Sequence, residues 1–367
     1  MQIFLNSACD PVLMAACMAF LVALLLVLTK KWHGHLSMDS HEGVQKFHVH
    51  PTPRVGGIAI AAGVLIGYLF SSVESQSLLG PLILAGIPAF VFGLLEDVTK
   101  RVSVRIRLLA TMSCGVLGWV ITGYSITNAD FPVVDWLLQF TAVSVFFTAF
   151  AVGGVANAIN IIDGFNGLAA GTVVIILTAF SVIGAIFGDY EFALVCLIFM
   201  GAVGGFFLVN WPLGKIFLGD GGAYFVGFAL AWLAVLMLQR HTEVSAWAPM
   251  LVCAYPILEV LFSIIRRRRR HLSPADPDRL HLHSLVKRRL VRLMLPRVSR
   301  LMRNSITGAI MWIAALLPAL IAVQWPTNTL MLALGFVLCA FLYTAAYARL
   351  TQFRWCIHPV KLALKAV

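Results

Sequence analysis

The chain has 367 residues, 60% of them hydrophobic and only 12% charged, with a mean hydropathy of +0.91. Soluble domains are about 45–50% apolar and about 25% charged, so a water-soluble globular enzyme, a disordered tail and a disulfide-rich secreted domain are all excluded. The net charge of +11 suggests a nucleic-acid partner only until its distribution along the chain is considered.

Apolar runs of spanning length, about 20 residues each, recur throughout. They predict eleven helices, at roughly 11–29, 56–73, 78–95, 105–123, 134–152, 168–187, 191–209, 222–239, 247–265, 305–323 and 328–347. The first run has no Lys or Arg before it and Lys30-Lys31 after it, the reverse of a cleavable signal peptide. It is therefore expected to be an anchor whose N-terminus lies outside. With eleven spans, the inside segments are 30–55, 96–104, 153–167, 210–221, 266–304 and 348–367. Every one of the 27 Lys and Arg except Arg240 falls in these segments or at the helix ends beside them, as the positive-inside rule requires. One span more or fewer would swap the sides of every later loop and destroy the pattern. The charge thus marks the cytoplasmic leaflet, and no nucleic-acid partner is expected.

The fold expectation is an all-α integral membrane bundle, with its N-terminus periplasmic and its C-terminus cytoplasmic, forming a single transmembrane catalytic unit over 1–367. Segment 266–304 is its cytoplasmic basic loop. It opens with Arg266 to Arg270, turns at Pro274 and Pro277, and continues as an amphipathic helix (His283, Leu285, Val286, Leu290, Leu293, Met294) expected to lie on the membrane surface or to close over an anionic substrate. The seven cysteines include no CxxC pair and mostly sit in apolar runs, as small hydrophobes do.

Each inside loop carries a compact polar motif beside a helix end. His48, His50, Thr52, Pro53, Arg54, Gly56 and Gly57 form the first, which alone could be a basic turn. In the second, Glu96 and Asp97 finish an apolar helix, followed by Lys100 and Arg101. Acids disfavour a helix C-terminus, where the dipole is negative, so something positive should compensate them, a divalent metal being one candidate. In the third, Asn157 and Asn160 share a helix face at i, i+3, ahead of Asp163, Gly164, Asn166 and Gly167. Capping by Asp163 or Asn166 would explain one polar residue, not four. In the fourth, Asp220 stands among Gly219, Gly221 and Gly222 where the next helix opens, as an N-cap or as a metal carboxylate beside phosphate-binding N–H groups. The fifth holds Asp278, Arg279, His281 and His283. Acids, amides, cations and glycines gathered on one side suit an Mg²⁺-bound diphosphate, since Mg²⁺ takes one or two carboxylates and completes its shell with water and phosphate.

Together these residues resemble the polyprenyl-phosphate N-acetylhexosamine-1-phosphate transferases, integral membrane enzymes that load a lipid carrier for cell-surface glycans. The segments PTPRVGG, EDxxK, NxxNxxDGxNGL, FLGDGG and HxH match in order over roughly residues 46–290. The resemblance implies catalytic roles for Glu96, Asp97 and Asp163. It implies metal binding by Asp220 and Asp97, and substrate binding by Asn160, His281 and His283; the polar motifs themselves add Arg54, Lys100, Asn157, Asn166 and Arg279 as candidate substrate contacts. It further implies Mg²⁺, with Mn²⁺ as the alternative cation, a UDP-sugar donor, an undecaprenyl phosphate acceptor, and a bacterial inner-membrane location with the site on the cytoplasmic face. A homodimer is left open. Three positions depart from the family pattern: Glu96 stands where Asp is usual, Asn166 replaces the second Asp of DGxDG, and Ser284 follows the histidines where a third His is frequent. The pattern is closer to the glycan-initiating branch than to the peptidoglycan translocase. The competing class is a polytopic secondary transporter. Its site would lie near the midplane within inverted repeats; Glu259 is the main acid within a span, about two turns from its end, and no repeat is visible.

Overall fold

The computed structural model describes residues 2–37, 52–271, 278 and 280–352. His48, His50, Pro274, Pro277 and Arg279 lie outside the described residues. In chain order the helices begin with α1 (Gln2–Leu28), α2 (Lys30–Ser37), α3 (Gly56–Leu69), α4 (Val73–Thr99) and α5 (Val104–Thr122). They continue with α6 (Pro132–Leu138), α7 (Thr141–Ile162), α8 (Leu168–Ile186), α9 (Tyr190–Asn210) and α10 (Gly219–Arg240). The last are α11 (Trp247–Val252), α12 (Ala254–Arg269), α13 (Leu282–Val286), α14 (Arg292–Met294), α15 (Arg300–Gln324) and α16 (Thr329–Thr351). Nine helices among the described residues are long and apolar enough to cross a membrane: α1 over Asp10–Leu28, α4, α5, α7, α8, α9, α10, α15 and α16.

The structure departs from the sequence expectation in three places. The run at 56–73 yields only the 14-residue α3, about 21 Å long against a hydrocarbon core of about 30 Å. Backbone hydrogen bonds tie Pro53, Gly56 and Gly57 to Phe217 and Leu218 at one end of it, and Ser72 caps α4 at the other by accepting from Ser75 N at 3.2 Å. The run at 247–265 is broken at Cys253 into α11 and α12. Pro256 has no N–H to give Val252 and its ring crowds that carbonyl. The basic segment after Leu280 does not simply lie on a membrane surface. It runs helically from Leu282 through a π-helical turn (Lys287–Val291) to Met294, with Leu282, Leu285, Val286 and Val291 buried in the protein. Its tip, Arg292 to Met294, is exposed. Apolar partners on α15 and α16 cover the rest, so this helix is a lid on the bundle.

Helix α10 is the centre. It is apolar on all sides, as a helix surrounded by other helices must be, and Leu230, Trp232 and Leu233 are fully buried. Helices α3, α4, α5, α7 and α8 pack around it. The outward faces of α1, α4, α5, α7, α15 and α16 expose Leu21, Leu84, Leu109, Phe146, Phe150, Leu316, Leu334 and Phe341. So much exposed apolar surface is untenable in water and is the hydrocarbon-facing belt of a multi-pass membrane protein.

Glycines set the closest approaches to α10. A Cβ on Gly57 would lie 2.6 Å from Gly222 Cα, and one on Gly93 would lie 2.6 Å from Gly221 Cα. No other residue lets the start of α3 and the last turns of α4 rest directly on the first turn of α10. Those contacts bring Arg54, Asp97 and Asp220 together.

The loops sort into two groups at opposite ends of the bundle. At one end, Gly56 N and Gly57 N donate to Phe217 O (2.9 Å) and Leu218 O (3.0 Å), and Phe217 N donates to Pro53 O (2.9 Å). At the other, Glu191 accepts from Ser72, and Asp130 accepts from Ser245 Oγ and Ala246 N. Arg240, the one cation outside the inside segments, is there too, paired with Asp189 at 2.5 and 2.9 Å.

Candidate active site

Asp220 is the hub of the first end. It lies in the first turn of α10 and is 4% exposed. Its Oδ1 accepts from Arg54 Nη2 at 3.0 Å and from Asn160 Nδ2 at 3.1 Å, and its Oδ2 accepts from Arg107 Nη1. Asn160 comes from the last turn of α7, and its Oδ1 lies 3.4 Å from the Tyr224 hydroxyl that donates to it. Arg107 comes from the start of α5, where a short turn folds back from α4. Lys100 closes α4 in the left-handed region (φ 56°), its N–H donating to Glu96 O at 2.9 Å, while Glu96 Oε2 accepts from Val102 N at 2.8 Å. The guanidinium also lies over the Tyr224 ring, 6.0 Å from its centroid, and its buried Nε has no hydrogen-bond partner.

Asp97 sits in the last turn of α4 and is 1% exposed. Its two oxygens accept from the backbone N–H groups of Asp220 (3.0 Å) and Gly221 (2.9 Å). This answers the electrostatic question posed by the sequence. An acid at the negative end of α4 is compensated by the positive N-terminus of α10, with Arg54 Nε 3.7 Å away. Gly219, at φ 75°, makes the approach possible, because a Cβ there would lie 2.6 Å from Asp97 Oδ2.

Asp163 follows the last residue of α7. Burial raises its pKa well above the usual carboxylate value, and Asp220 and Asp97 raise it further, while Arg54 and a hydrogen bond from Gly219 N pull it down. Three carboxylates therefore share one electrostatic environment beneath Arg54.

The HxH segment closes the site from the side. His281 and His283 stack, with ring centroids 5.2 Å apart. An added Cβ on Gly164 would lie 3.6 Å from His283 Nε2, so this imidazole faces the turn that carries Asp163. Its ring meets the edge of Phe165 at 5.3 Å. Burial, with His281 beside it, pushes the His283 pKa down to about 4, against the pull of Glu259. Lys287 Nζ stands over the other part of that contact, 5.1 Å from the Phe165 centroid. Its pKa is pushed down to about 7 by burial and by Arg303, Arg288 and Arg300.

The structure thus brings Arg54, Asp97, Asn160, Asp163 and Asp220 together, with Glu96 and Lys100 on the adjoining turn and His283 at the wall. Asn157 instead turns to α5, donating to Gly153 O (2.8 Å) and reaching Thr111 Oγ1 (3.4 Å). Asn166 is buried against the scaffold, donating to Ser305 Oγ (3.2 Å) and Pro212 O (3.4 Å). Arg279 lies outside the described residues. Arg107, Tyr224 and Lys287 were not singled out from the sequence. Arg107 reads there as an ordinary inside charge, and its signal is the pair Arg105 and Arg107 opening an apolar span, where one cation would suffice as an anchor.

Among the described residues, no three His, Cys, Asp or Glu side chains are arranged to hold a metal ion by themselves. The oxygen chemistry present at Asp220 and Asn160 suits a hard cation that takes its remaining ligands from phosphate and water. Arg54 and Arg107 add guanidinium groups of the kind that bind phosphate oxygens in pairs.

A family model described as glycosyl transferase family 4 matches residues 79–238, which carry α4 to α10 and with them Asp97, Asn160, Asp163 and Asp220. The chain is 29% identical over 271 residues to a probable undecaprenyl-phosphate N-acetylglucosaminyl 1-phosphate transferase of Bacillus subtilis (strain 168), covering 72% of this chain and 75% of that one. It is 29% identical over 268 residues to the undecaprenyl-phosphate alpha-N-acetylglucosaminyl 1-phosphate transferase of Salmonella typhi, covering 72% of each. The Escherichia coli (strain K12) protein of the same name is 28% identical over 271 residues, covering 72% and 73%.

Proposed function

We propose that the chain is one of the polyprenyl-phosphate N-acetylhexosamine-1-phosphate transferases, a reading supported by its match to the glycosyl transferase family 4 model and by its relatives, and that it transfers a sugar 1-phosphate from a UDP-sugar to undecaprenyl phosphate. The products are undecaprenyl-diphospho-sugar and UMP. A lipid phosphate oxygen forms a bond to the phosphorus that bears the sugar, and the bond from that phosphorus to the oxygen bridging it to UMP breaks. One phosphoanhydride replaces another, so no ATP is consumed. N-acetylglucosamine is the sugar carried in the names of the relatives, and we extend it to this chain as the first donor to test.

The observation that carries this proposal is the meeting of Arg54, Arg107, Asn160, Asp97 and Asp163 around Asp220, from segments far apart in sequence. Joining two anionic phosphates is mainly a problem of charge and alignment. Arg54 and Arg107 supply fixed positive charge. Asn160 orients the Asp220 carboxylate. Asp97 holds the first turn of α10, and so fixes where Asp220 points. Asp163 and Glu96 are the acids left to accept a proton from the lipid phosphate, which is largely ionised at neutral pH. Mg²⁺, or Mn²⁺ in its place, would rest on Asp220; when bound, it would neutralise the diphosphate and help align the displacement.

We further place the protein in the bacterial inner membrane with this site on the cytoplasmic side. Counting α3 and the α11–α12 pair as crossings gives eleven, with a periplasmic N-terminus. The segregation of the two loop groups, together with the Lys and Arg bias, supports that arrangement.

Asp220→Asn is expected to lower UMP release from UDP-N-acetylglucosamine and undecaprenyl phosphate by at least about a hundredfold, the scale of a lost electrostatic group at a reacting phosphate. The purified variant should still elute as a folded species. Chelation with EDTA should likewise stop the wild type, and added Mg²⁺ should restore it. Retention of most activity by Asp220→Asn would remove Asp220 from the site. UMP release that does not require the lipid phosphate would sink the transfer itself, and transport of UDP-sugar without release would favour the transporter.

A further inference from the structure

We propose that Glu259 is a positioning residue that braces the His281–Leu282–His283 segment, leaving His283 as the histidine that touches the nucleotide-sugar diphosphate. The inference rests on the transfer reaction proposed above and divides the labour between its two histidines.

Glu259 is fully buried within α12. Its Oε1 accepts from His281 Nδ1 at 3.0 Å and from Leu282 N at 3.0 Å. An ionised carboxylate can only accept, so the proton on His281 Nδ1 is assigned by this contact. The other side of the same ring faces a second acid, with His281 Nε2 3.8 Å from Asp278 Oδ2. Asp278 is in turn pinned by Ser263 Oγ (2.9 Å), by Leu280 N (2.9 Å) and by Arg266. Arg266 also donates to Leu280 O at 2.7 Å. Glu259, Ser263 and Arg266 recur at i, i+4 and i+7, one face of α12. That polar stripe clamps the returning loop, and His281 is enclosed between its acids.

His283 is placed differently. Its Nδ1 lies 3.4 Å from the Tyr255 hydroxyl and 3.7 Å from Glu259 Oε2, and Nε2 points to the Asp163–Gly164 turn. Glu259 Oε2 is buried without a hydrogen bond. A buried carboxylate oxygen left in this way is costly. The Tyr343 hydroxyl and the His283 ring both stand beside Glu259, and of the two it is the ring that also reaches the Asp163–Gly164 turn. A phosphate oxygen received at Nε2 needs a donor there, and a ring that also gives Nδ1–H to Glu259 Oε2 is an imidazolium. The low pKa belongs to the ring without a ligand; a phosphate on one side and Glu259 on the other would favour uptake of the second proton, with Nδ1 closing on Oε2 from 3.7 Å. Carboxylate, imidazole and phosphate would stand in line, and the carboxylate would act only through the ring.

The test uses the full-length protein in detergent. Glu259→Gln keeps the shape and removes the charge. The expected result is a KM for UDP-N-acetylglucosamine raised about tenfold, the scale of one lost charge-assisted hydrogen bond. The kcat and the KM for undecaprenyl phosphate should each stay within about twofold. UMP affinity, followed by titration calorimetry with Mg²⁺ present, should fall in parallel. Asp278→Asn loosens the same ring from outside the span and should move the same constant; it carries the test if Glu259→Gln does not fold. A rise in both KM values together, or a fall in kcat alone, overturns the brace. A wild type that binds UMP while Glu259→Gln binds it equally well overturns the brace and leaves the transfer intact. A wild type that neither binds nor releases UMP overturns both.

Discussion

Adjacent acids, identical in charge, do different work because their neighbours differ. Glu96 accepts from the turn that follows α4, whereas Asp97 spends both oxygens on the first N–H groups of α10. Asparagine at position 97 could offer one acceptor and would turn an NH₂ group against an N–H. Asp97→Asn is therefore expected to lose about 1–3 kcal/mol of stability, the cost of an unsatisfied buried donor, and to lose turnover with it because Asp220 is no longer held. Thermal unfolding in detergent alongside the UMP assay separates this from a chemical role. If Asp97→Asn melts like the wild type yet cannot turn over, Asp97 acts on substrate and is not merely a cap. At this scale the sequence disclosed the acids and Asn160, because ionisable and amide groups beside apolar helices require partners wherever they sit. It did not disclose Arg107, whose partner lies 113 residues away, nor that Asn166 would be consumed by Ser305 and Pro212. Distant pairings leave no local periodicity to read.

Helices bring these residues together through bare backbone. Gly93 lies one turn before Asp97, and an added Cβ would meet Asp220 O and the backbone of Gly221 at 2.6 Å. Neither helix can yield without moving the other. Gly93→Ala should thus cost about 1–3 kcal/mol as an overpacked contact and should reduce activity several-fold by lifting α4 from α10. Gly154, on α7, has open space where its Cβ would be, so Gly154→Ala should leave melting temperature and turnover unchanged. Should the two variants behave alike, the close crossing of α4 and α10 is not what holds the site. Helix existence was the most legible feature of the chain, since a run of apolar residues is sufficient to specify a span. Helix continuity was less so. Pro256 breaks the span at 247–265 because a proline's effect depends on whether neighbours can satisfy the freed carbonyl. For the basic helix after Leu280 the sequence left two placements open, because an amphipathic pattern says that one face is covered, but not whether lipid or protein covers it.

For the whole molecule the decisive property is sidedness. Charge along the chain divides the loops into two sets, and hydrogen bonding within the fold divides them in the same way, although the two criteria share no information. Loops carrying Arg54, Asp97, Asp163 and Phe217 bond to one another or share one electrostatic environment, while those carrying Asp130, Asp189 and Ser245 occupy the opposite end. Arg240, the exception to the charge bias, is neutralised by Asp189 and so exerts little pull on orientation. The proposed transfer from a UDP-sugar would require the first set to face the cytoplasm, where nucleotide sugars are made. The arrangement can be checked with single cysteines in a background from which the native thiols are removed. Lys100 and Lys215, both exposed and both beside the acidic site, and Glu243, exposed in the loop after α10, give Lys100→Cys, Lys215→Cys and Glu243→Cys. A membrane-impermeant maleimide applied to intact spheroplasts should label Glu243→Cys and spare the other two. In inside-out vesicles the pattern should reverse. Labelling of Lys100→Cys and Glu243→Cys from the same side would mean that an odd number of crossings does not separate them, and the site could not then be assigned to the inner leaflet.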